Sequence, residues 1–323
     1  MQRRTLLSLA GAVPLAARSP WALADTYPSR PVRLVVPAAG GSGDLFARAI
    51  AQRLEQLMGQ TFLVEQKPGA GTNIGNAFVA KAAPDGYTLL INGLPLATNP
   101  ALYDNLTYSP TRDLAPIIQV ADIANVVTVH PGLAIQSMKE LVQAAKAEPR
   151  KFNYGTPGIG SSGHLSAELL AVKTGALLTH VPYQGNAQAT NDHLSGVLQV
   201  GFVNMPVALQ FVRSNRLRAL AVTSARRSAL LPDVPTVAEA LGIPDYELSG
   251  WFGIFAPART PPDILGRLER ELAKLLADPA MMEVIRGAGG EPVGGTAAQL
   301  EARVRRDAER LTEVIRVSGA KAQ

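Results

Sequence analysis

The sequence predicts an α/β protein of two domains with largely parallel sheets. Three observations carry that expectation. Short apolar strand patterns alternate with single helical patterns along the chain, the arrangement that lays helices over parallel strands. One design occurs twice, near residue 40 and near residue 158: a strand, a Gly/Ser loop and a helix N-terminus. The 323 residues include no cysteine, so the chain is long enough for two cores that must hold without disulfides.

The first 24 residues stand outside that fold. Arg3-Arg4 precede an apolar run over 6–17, and Ala22-Leu23-Ala24 offers a small-x-small cleavage site before Asp25. This is the pattern of a secretory signal peptide, with an apolar run too short to span a bilayer. Arg3-Arg4-Thr5-Leu6-Leu7 also resembles a twin-arginine signal, so two export routes stay open. Removing 24 of 323 residues leaves 299, and the three arginines lost take the formal charge from +5 to +2. The largest remaining basic cluster, Arg303, Arg305, Arg306 and Arg310, is interleaved with Asp307 and Glu309 like a solvated helix face. Nucleic acid is therefore not an expected partner. The signal leads to the expectation of an exported protein.

In the mature chain, a strand over 32–36 leads through a Gly/Ser loop into a helix over 45–58. Phe46, Ile50, Leu54 and Leu57 share one face of that helix and Asp44 is its natural N-cap. A strand over 62–65, the turn Lys67-Pro-Gly-Ala-Gly-Thr72 and a helix over 73–82 follow. Pro84-Asp-Gly86 then turns the chain into a strand over 87–91. The middle reads as strands over 126–129, 152–155, 177–181, 200–203 and 217–222, with helices over 137–147 and 164–174. A strand over 251–256 and two long helices, 262–277 and 296–317, complete the chain.

The stretch Tyr154-Gly-Thr-Pro-Gly-Ile-Gly-Ser-Ser-Gly-His-Leu165 carries the most chemistry. It holds four glycines with Thr156, Ser161 and Ser162, and it opens a helix. Free amides, hydroxyls and the positive end of the helix dipole at one spot favour an anion. Gly158-Ile-Gly160-Ser-Ser-Gly163 also matches a dinucleotide fingerprint. However, the next strand ends His180-Val-Pro-Tyr-Gln-Gly185, without the acid that would hold a ribose. Neither glycine loop has the spacing of a nucleophile elbow. A nucleophile at Ser161 or Ser162 with His164 as base is a weak reading, since His164 in a first helical turn more often bonds a neighbouring loop. His130, His164, His180 and His193 show no metal-ligand spacing. Asp44 reads as a cap, or as a group that orients its loop or accepts from a ligand amine. Tyr183 and Asn204 read equally as turn residues or as cleft lining. Donors abound without a catalytic set, which points to binding.

These motifs, taken in order, resemble the substrate-binding proteins of tripartite tricarboxylate transporters, the Bug family. The resemblance rests on Tyr27-Pro-Ser-Arg-Pro-Val-Arg-Leu-Val-Val-Pro37, Gly40-Gly-Ser-Gly-Asp44, Lys67-Pro-Gly-Ala-Gly-Thr-Asn-Ile-Gly75 and Pro84-Asp-Gly-Tyr-Thr-Leu-Leu90. It continues through Asn99-Pro-Ala-Leu-Tyr103, Tyr154-Gly-Thr, His180-Val-Pro-Tyr183, Leu231-Pro-Asp-Val-Pro-Thr-Val-Ala-Glu239 and Trp251-Phe-Gly. It implies a type II-like periplasmic binding protein of two lobes, 25–124 plus 223–323 and 125–222, with two crossovers. Such a protein closes on a small carboxylate for delivery to permease subunits, without catalysis, cofactor or metal. The same fold serving a signalling partner is the alternative, with a serine hydrolase as a remoter one. The implied ligand set is Ala39, Gly40, Ser42, Gly43 and Asp44 on one side. Thr156, Gly158, Gly160, Ser161 and Ser162 face it, with Tyr183 and Asn204 secondary. Relatives usually carry an aromatic residue and a Gly-Gly-Ser-Thr-Asp run after the first strand. Here Pro37-Ala-Ala-Gly-Gly-Ser-Gly-Asp44 is one residue shorter, has no aromatic, and carries Gly43 for Thr. Gln199 stands where many relatives have Asp, which implies the loss of a partner for a ligand amine.

Overall fold

The computed structural model describes residues 27–38, 41–183 and 186–322, so the expected signal peptide, Ala39 and Gly40 lie outside the described residues. The chain opens with β1 (Val32–Val36), α1 (Ser42–Met58), β2 (Phe62–Gln66), α2 (Asn73–Ala80), β3 (Thr88–Gly93), α3 (Pro95–Leu102), α4 (Pro110–Asp113) and the long β4 (Leu114–Val129). It continues through α5 (Met138–Ala147), β5 (Asn153–Thr156), α6 (Ser162–Thr174), β6 (Thr179–Pro182), α7 (Asn186–Leu194), β7 (Val200–Asn204), α8 (Met205–Arg213) and β8 (Arg218–Val222). The last part is α9 (Val237–Leu241), β9 (Ser249–Pro257), α10 (Pro262–Ala277), α11 (Pro279–Gly287), β10 (Glu291–Gly294) and α12 (Ala297–Ser318).

Local chemistry sets most of these elements. Helix α1 buries Phe46, Ala47, Ile50, Ala51 and Leu54, a spacing of three and four residues, and stops at Gly59 in the left-handed region. Helix α10 buries Leu268, Leu272, Leu275 and Leu276 on one stripe, within the expected 262–277. Helix α12 starts on a capping box between Thr296 and Gln299. Every residue of β3 is buried, as befits a strand covered on both faces.

The sheet is mixed. Its order is β2-β1-β3-β9-β4-β7-β5-β6, with β10 and β8 also on β4. Strands β1, β2 and β3 run parallel, as do β5, β6 and β7, while every pairing of β4 and β9 is antiparallel. Strand β4 is the common member. Residues 114–124 pair with β9 and residues 125–129 with β7. Thr223, just after β8, exchanges two hydrogen bonds with Asn125, its amide to the Asn125 carbonyl at 2.9 Å and its hydroxyl from the Asn125 amide at 3.0 Å.

This register brings the carboxyl ends of two parallel strand sets together. Phe252 of β9 lies opposite both Gly93, the last residue of β3, and Ala121 of β4. Asn204, the last residue of β7, lies opposite Asn125 of β4. The two sets therefore point their carboxyl ends at one short stretch, 121–125. Ligands of open α/β sheets sit at such ends.

The sequence pattern gave only 126–129 of β4. Pro116, Gln119 and Asp122 interrupt its apolar run, yet the strand accommodates them: its register shifts between Pro116 and Ile118, and Asp122 lies 3.5 Å from Arg303. Helix α3 was also silent in the sequence, because it contains Pro100 and is buried on several sides at Leu96, Ala97, Thr98, Asn99 and Leu102.

Candidate functional site

The loop from β5 to α6 is an amide-rich turn. Gly158 and Gly160 adopt φ of 134° and 81°, which only glycine tolerates readily. A side chain on Gly160 would strike Leu102 of α3. Ser161 is the N-cap of α6. Its Oγ accepts the His164 amide at 3.4 Å and donates to the Gly158 carbonyl at 2.8 Å. The helix thus begins at Ser162, two residues before the expected start at His164.

Two imidazoles fix this turn from behind. His164 Nδ1 accepts the Gly160 amide at 3.2 Å, the loop contact expected of it. His180 Nε2 lies 2.7 Å from Thr156 Oγ1, which also donates to the Gly158 carbonyl at 3.0 Å and accepts the Gly158 amide at 3.3 Å. The ring centroids lie 4.2 Å apart with the planes tilted by 35°. Burial pushes the His164 pKa down to about 3, with His180 adding to the shift, and pushes the His180 pKa down to about 4. Both rings are neutral at pH 7 and act as struts. Thr156 is bound into the turn itself. With the amides of Gly158, Gly160, Ser161 and His164 engaged, those of Ile159, Ser162 and Gly163 are the donors without a protein acceptor among the described residues.

Ser162 faces a second set of groups. Its Oγ donates to Asn125 Oδ1 at 3.2 Å and accepts from Asn204 Nδ2 at 3.3 Å, while Asn204 Nδ2 also donates to Asn125 Oδ1 at 2.8 Å. Asn125 is fully buried and donates its own amide to Ser166 Oγ at 3.1 Å. Asn204 also precedes α8, so two helix N-termini meet at the Ser162–Asn204 contact. Asn125 escaped the sequence reading because it falls just before the strand expected over 126–129, where one polar residue carries no local signal.

The first glycine loop ends differently from expectation. The N-cap of α1 is Gly41, at φ 78°, and makes no side-chain bond; Ser42 and Gly43 are already helical. Asp44 is therefore in the first turn and not the cap. Its carboxylate takes Arg48 Nε at 2.8 Å and Gln66 Nε2 at 2.8 Å, tying α1 to β2. The hydrogen bond from Arg48 is the main cause holding its pKa below the usual carboxylate range.

Strand β9 joins the two loops. A Cβ on Gly250 would stand 3.3 Å from Ser162 Oγ, and a Cβ on Gly43 would stand 2.8 Å from the Phe252 ring. Gly250 and Phe252 are two residues apart in a strand, hence on one face, at a rise of roughly 7 Å. The start of α1 and the start of α6 therefore border the same face of the same strand.

Two further residues sit elsewhere. The Tyr183 hydroxyl donates to Asp192 Oδ2 at 2.6 Å and its amide to the Thr156 carbonyl at 2.9 Å, so it braces the loop toward α7. Gln199 precedes β7, at the opposite end from Asn204, where it accepts the Asn153 amide at 3.0 Å and donates to the Val197 carbonyl at 3.0 Å. Its side chain closes a turn, away from the Ser162–Asn204 contact, and does not bear on a ligand amine there.

A family model described as the tripartite tricarboxylate transporter family receptor, TctC, matches residues 46–319. The chain belongs to this family. It is 38% identical to protein BugT of Bordetella pertussis, over 92% of each chain. Among solved structures it resembles R. palustris Rpa4515 with adipate at TM-score 0.84 and 36% identity, covering 91% of this chain and 98% of that one. It resembles the periplasmic binding protein BugD at TM-score 0.81 and 35% identity, covering 92% and 100%. Among the described residues no helix is long and apolar enough to cross a membrane.

Proposed function

We propose that this chain is an exported receptor that captures a small carboxylate between two lobes and delivers it to membrane permease subunits, without catalysis and as a monomer. The lobes are 25–124 plus 223–323 and 125–222, after removal of a signal peptide over 1–24. One observation carries this reading: the N-termini of α1 and α6 border one face of β9, at Phe252 and Gly250. Helix N-termini with free amides suit an anion, and charge-assisted bonds from Ser162, Asn204 and those amides offset its desolvation. The adipate bound in Rpa4515 supports the ligand class. A non-catalytic role is supported by the serines: Ser161 Oγ bonds the Gly158 carbonyl and Ser162 Oγ bonds Asn125, so neither hydroxyl is oriented by an imidazole.

Release requires the lobes to part. The proposed crossovers fall at β4 and at the Asn125–Thr223 exchange, and bending there would open the face without breaking either parallel strand set. A thermal-shift screen over small carboxylates at millimolar concentration tests the reading. A true ligand at 100 to 1,000 times its Kd adds about 3–4 kcal/mol to native stability. A shift by neutral sugars or dinucleotides, with none by any carboxylate, would sink it.

A further inference from the structure

We infer that Phe252 is a specificity-determining wall of the site, admitted there by Gly43, and that it selects a carboxylate with an unsubstituted apolar body over a hydroxylated one. The inference rests on the carboxylate-receptor reading and names the substrate class within it.

The argument starts from burial along β9. Trp251 and Ile254 are closed off, at 1% and 0% exposure, and Trp251 turns to the other face, where its indole N–H donates to Asp307 Oδ2 at 2.9 Å. Phe252 is only partly buried and shares its face with Gly250. Gly250 has no side chain to cover the ring from that direction, and Ser162 begins just beyond it. On the other side the ring stands edge-on to Phe46, centroids 5.7 Å apart and planes at 82°, so it has a firm backing.

Gly43 completes the arrangement. Its φ is not in the left-handed region, so the backbone alone does not demand glycine. The ring does: at 2.8 Å from the Phe252 Cε1 position, a Cβ at residue 43 would require the ring to move. Gly43 and Phe252 are thus one device, a missing side chain and the aromatic edge that uses its space. An apolar ring set between the first turn of α1 and Ser162 offers no hydrogen bond to a ligand hydroxyl held beside it. Such a hydroxyl would lose its water without replacement, whereas methylene groups gain by leaving water.

The test uses the full mature chain and two ligands alike in length and charge, adipate and its tetrahydroxy analogue galactarate, titrated calorimetrically. The wild type is expected to bind adipate more tightly by about 10- to 100-fold. Phe252→Ser should shrink that ratio at least fivefold, and Phe252→Leu, which keeps an apolar wall, should preserve it. Gly43→Thr should weaken adipate binding, and Gly43→Thr combined with Phe252→Ser should recover binding while favouring galactarate. A Phe252→Ser protein that loses both ligands in equal proportion, or neither, overturns the inference and leaves the receptor reading standing. If Phe252→Ser fails to fold, the ratio for Phe252→Leu and Gly43→Thr decides: an unchanged ratio in Gly43→Thr overturns it. A wild type that binds neither ligand nor any other carboxylate overturns the receptor reading and this inference together.

Discussion

Asn204 and Ser162 donate to the same atom, Asn125 Oδ1, at 2.8 and 3.2 Å. One buried carbonyl oxygen thereby aligns two groups from different helix starts, at the strand residue where β4 changes partners. Asn125→Ala removes that acceptor and leaves two donors without it. Leaving buried polar groups unpaired costs about 1–3 kcal/mol, so denaturant melts should show a loss in that range. Carboxylate affinity should drop about tenfold or more in calorimetry, because Ser162 and Asn204 lose their alignment. Unchanged affinity would show that the triad is scaffolding alone.

Ser161 and Ser162 are neighbours with different tasks. Ser161→Ala deletes an N-cap and should lower stability by about 1 kcal/mol. Ser162→Ala removes a hydroxyl that a carboxylate would meet. A hydrogen bond to a charged group is worth about 1.5–3 kcal/mol, so Kd should rise about 10- to 150-fold. Reversal of the two effects would move the site to the Ser161 side of the turn.

The paired histidines His164 and His180 give stability a defined pH dependence. Both have folded pKa values lowered by burial, to about 3 for His164 and about 4 for His180, against about 6.5 when unfolded. Their contribution is complete above pH 6.5 and is lost as pH falls from there toward about 4 for His180 and about 3 for His164, because the unfolded chain takes up protons that the folded chain refuses. Each adds up to about 1.4 kcal/mol per pH unit in that window. Buried His193, also lowered to about 4, acts in the same direction. Glu168, 3.8 Å from His164, opposes them: burial raises its pKa, countered first by the hydrogen bond from the Tyr154 hydroxyl at 3.0 Å and then by Arg150. Melts at pH 7.5, 6 and 5 should fall steeply, and His180→Gln should flatten the slope. An unaltered slope in that variant would place the proton uptake elsewhere.

Asp307 holds the opposite face of β9. It is 1% exposed and accepts from Trp251 Nε1 at 2.9 Å and Arg303 Nε at 2.7 Å. Asp307→Ala leaves a largely buried guanidinium short of a partner and should destabilise by about 3–5 kcal/mol. Since Trp251 precedes Phe252, the same variant should also lower the preference for adipate over galactarate. A stability loss below 1 kcal/mol in equilibrium unfolding would refute the role given to Asp307.

The reach of the sequence can be judged element by element. Helices α1 and α10 were legible because their buried residues repeat every three or four positions. Helices α7 and α8 were not read, and neither was α11, whose nine residues include only two buried ones, Met281 and Ile285. The start of α1 was misplaced because Gly41 enters the helix through its own backbone conformation and leaves no polar cap to recognise. Of the site, Ser162 and Asn204 stood out by type and position. Asn125, Gly250 and Phe252 did not, since each acts on a partner far along the chain.

By itself, then, the sequence determined the alternation of strands and helices, the two glycine loops that open α1 and α6, and the family. These follow from local chemistry: apolar periodicity, glycine conformations and helix ends with unpaired amides. Tertiary structure alone decided which of those amides stay free, since the rings of His164 and His180 come from a helix and a neighbouring strand. It alone also brought Gly43 against Phe252, 209 residues later. Register along β4 and β9 placed the loops on one face, and strand register is a property of pairing between distant segments.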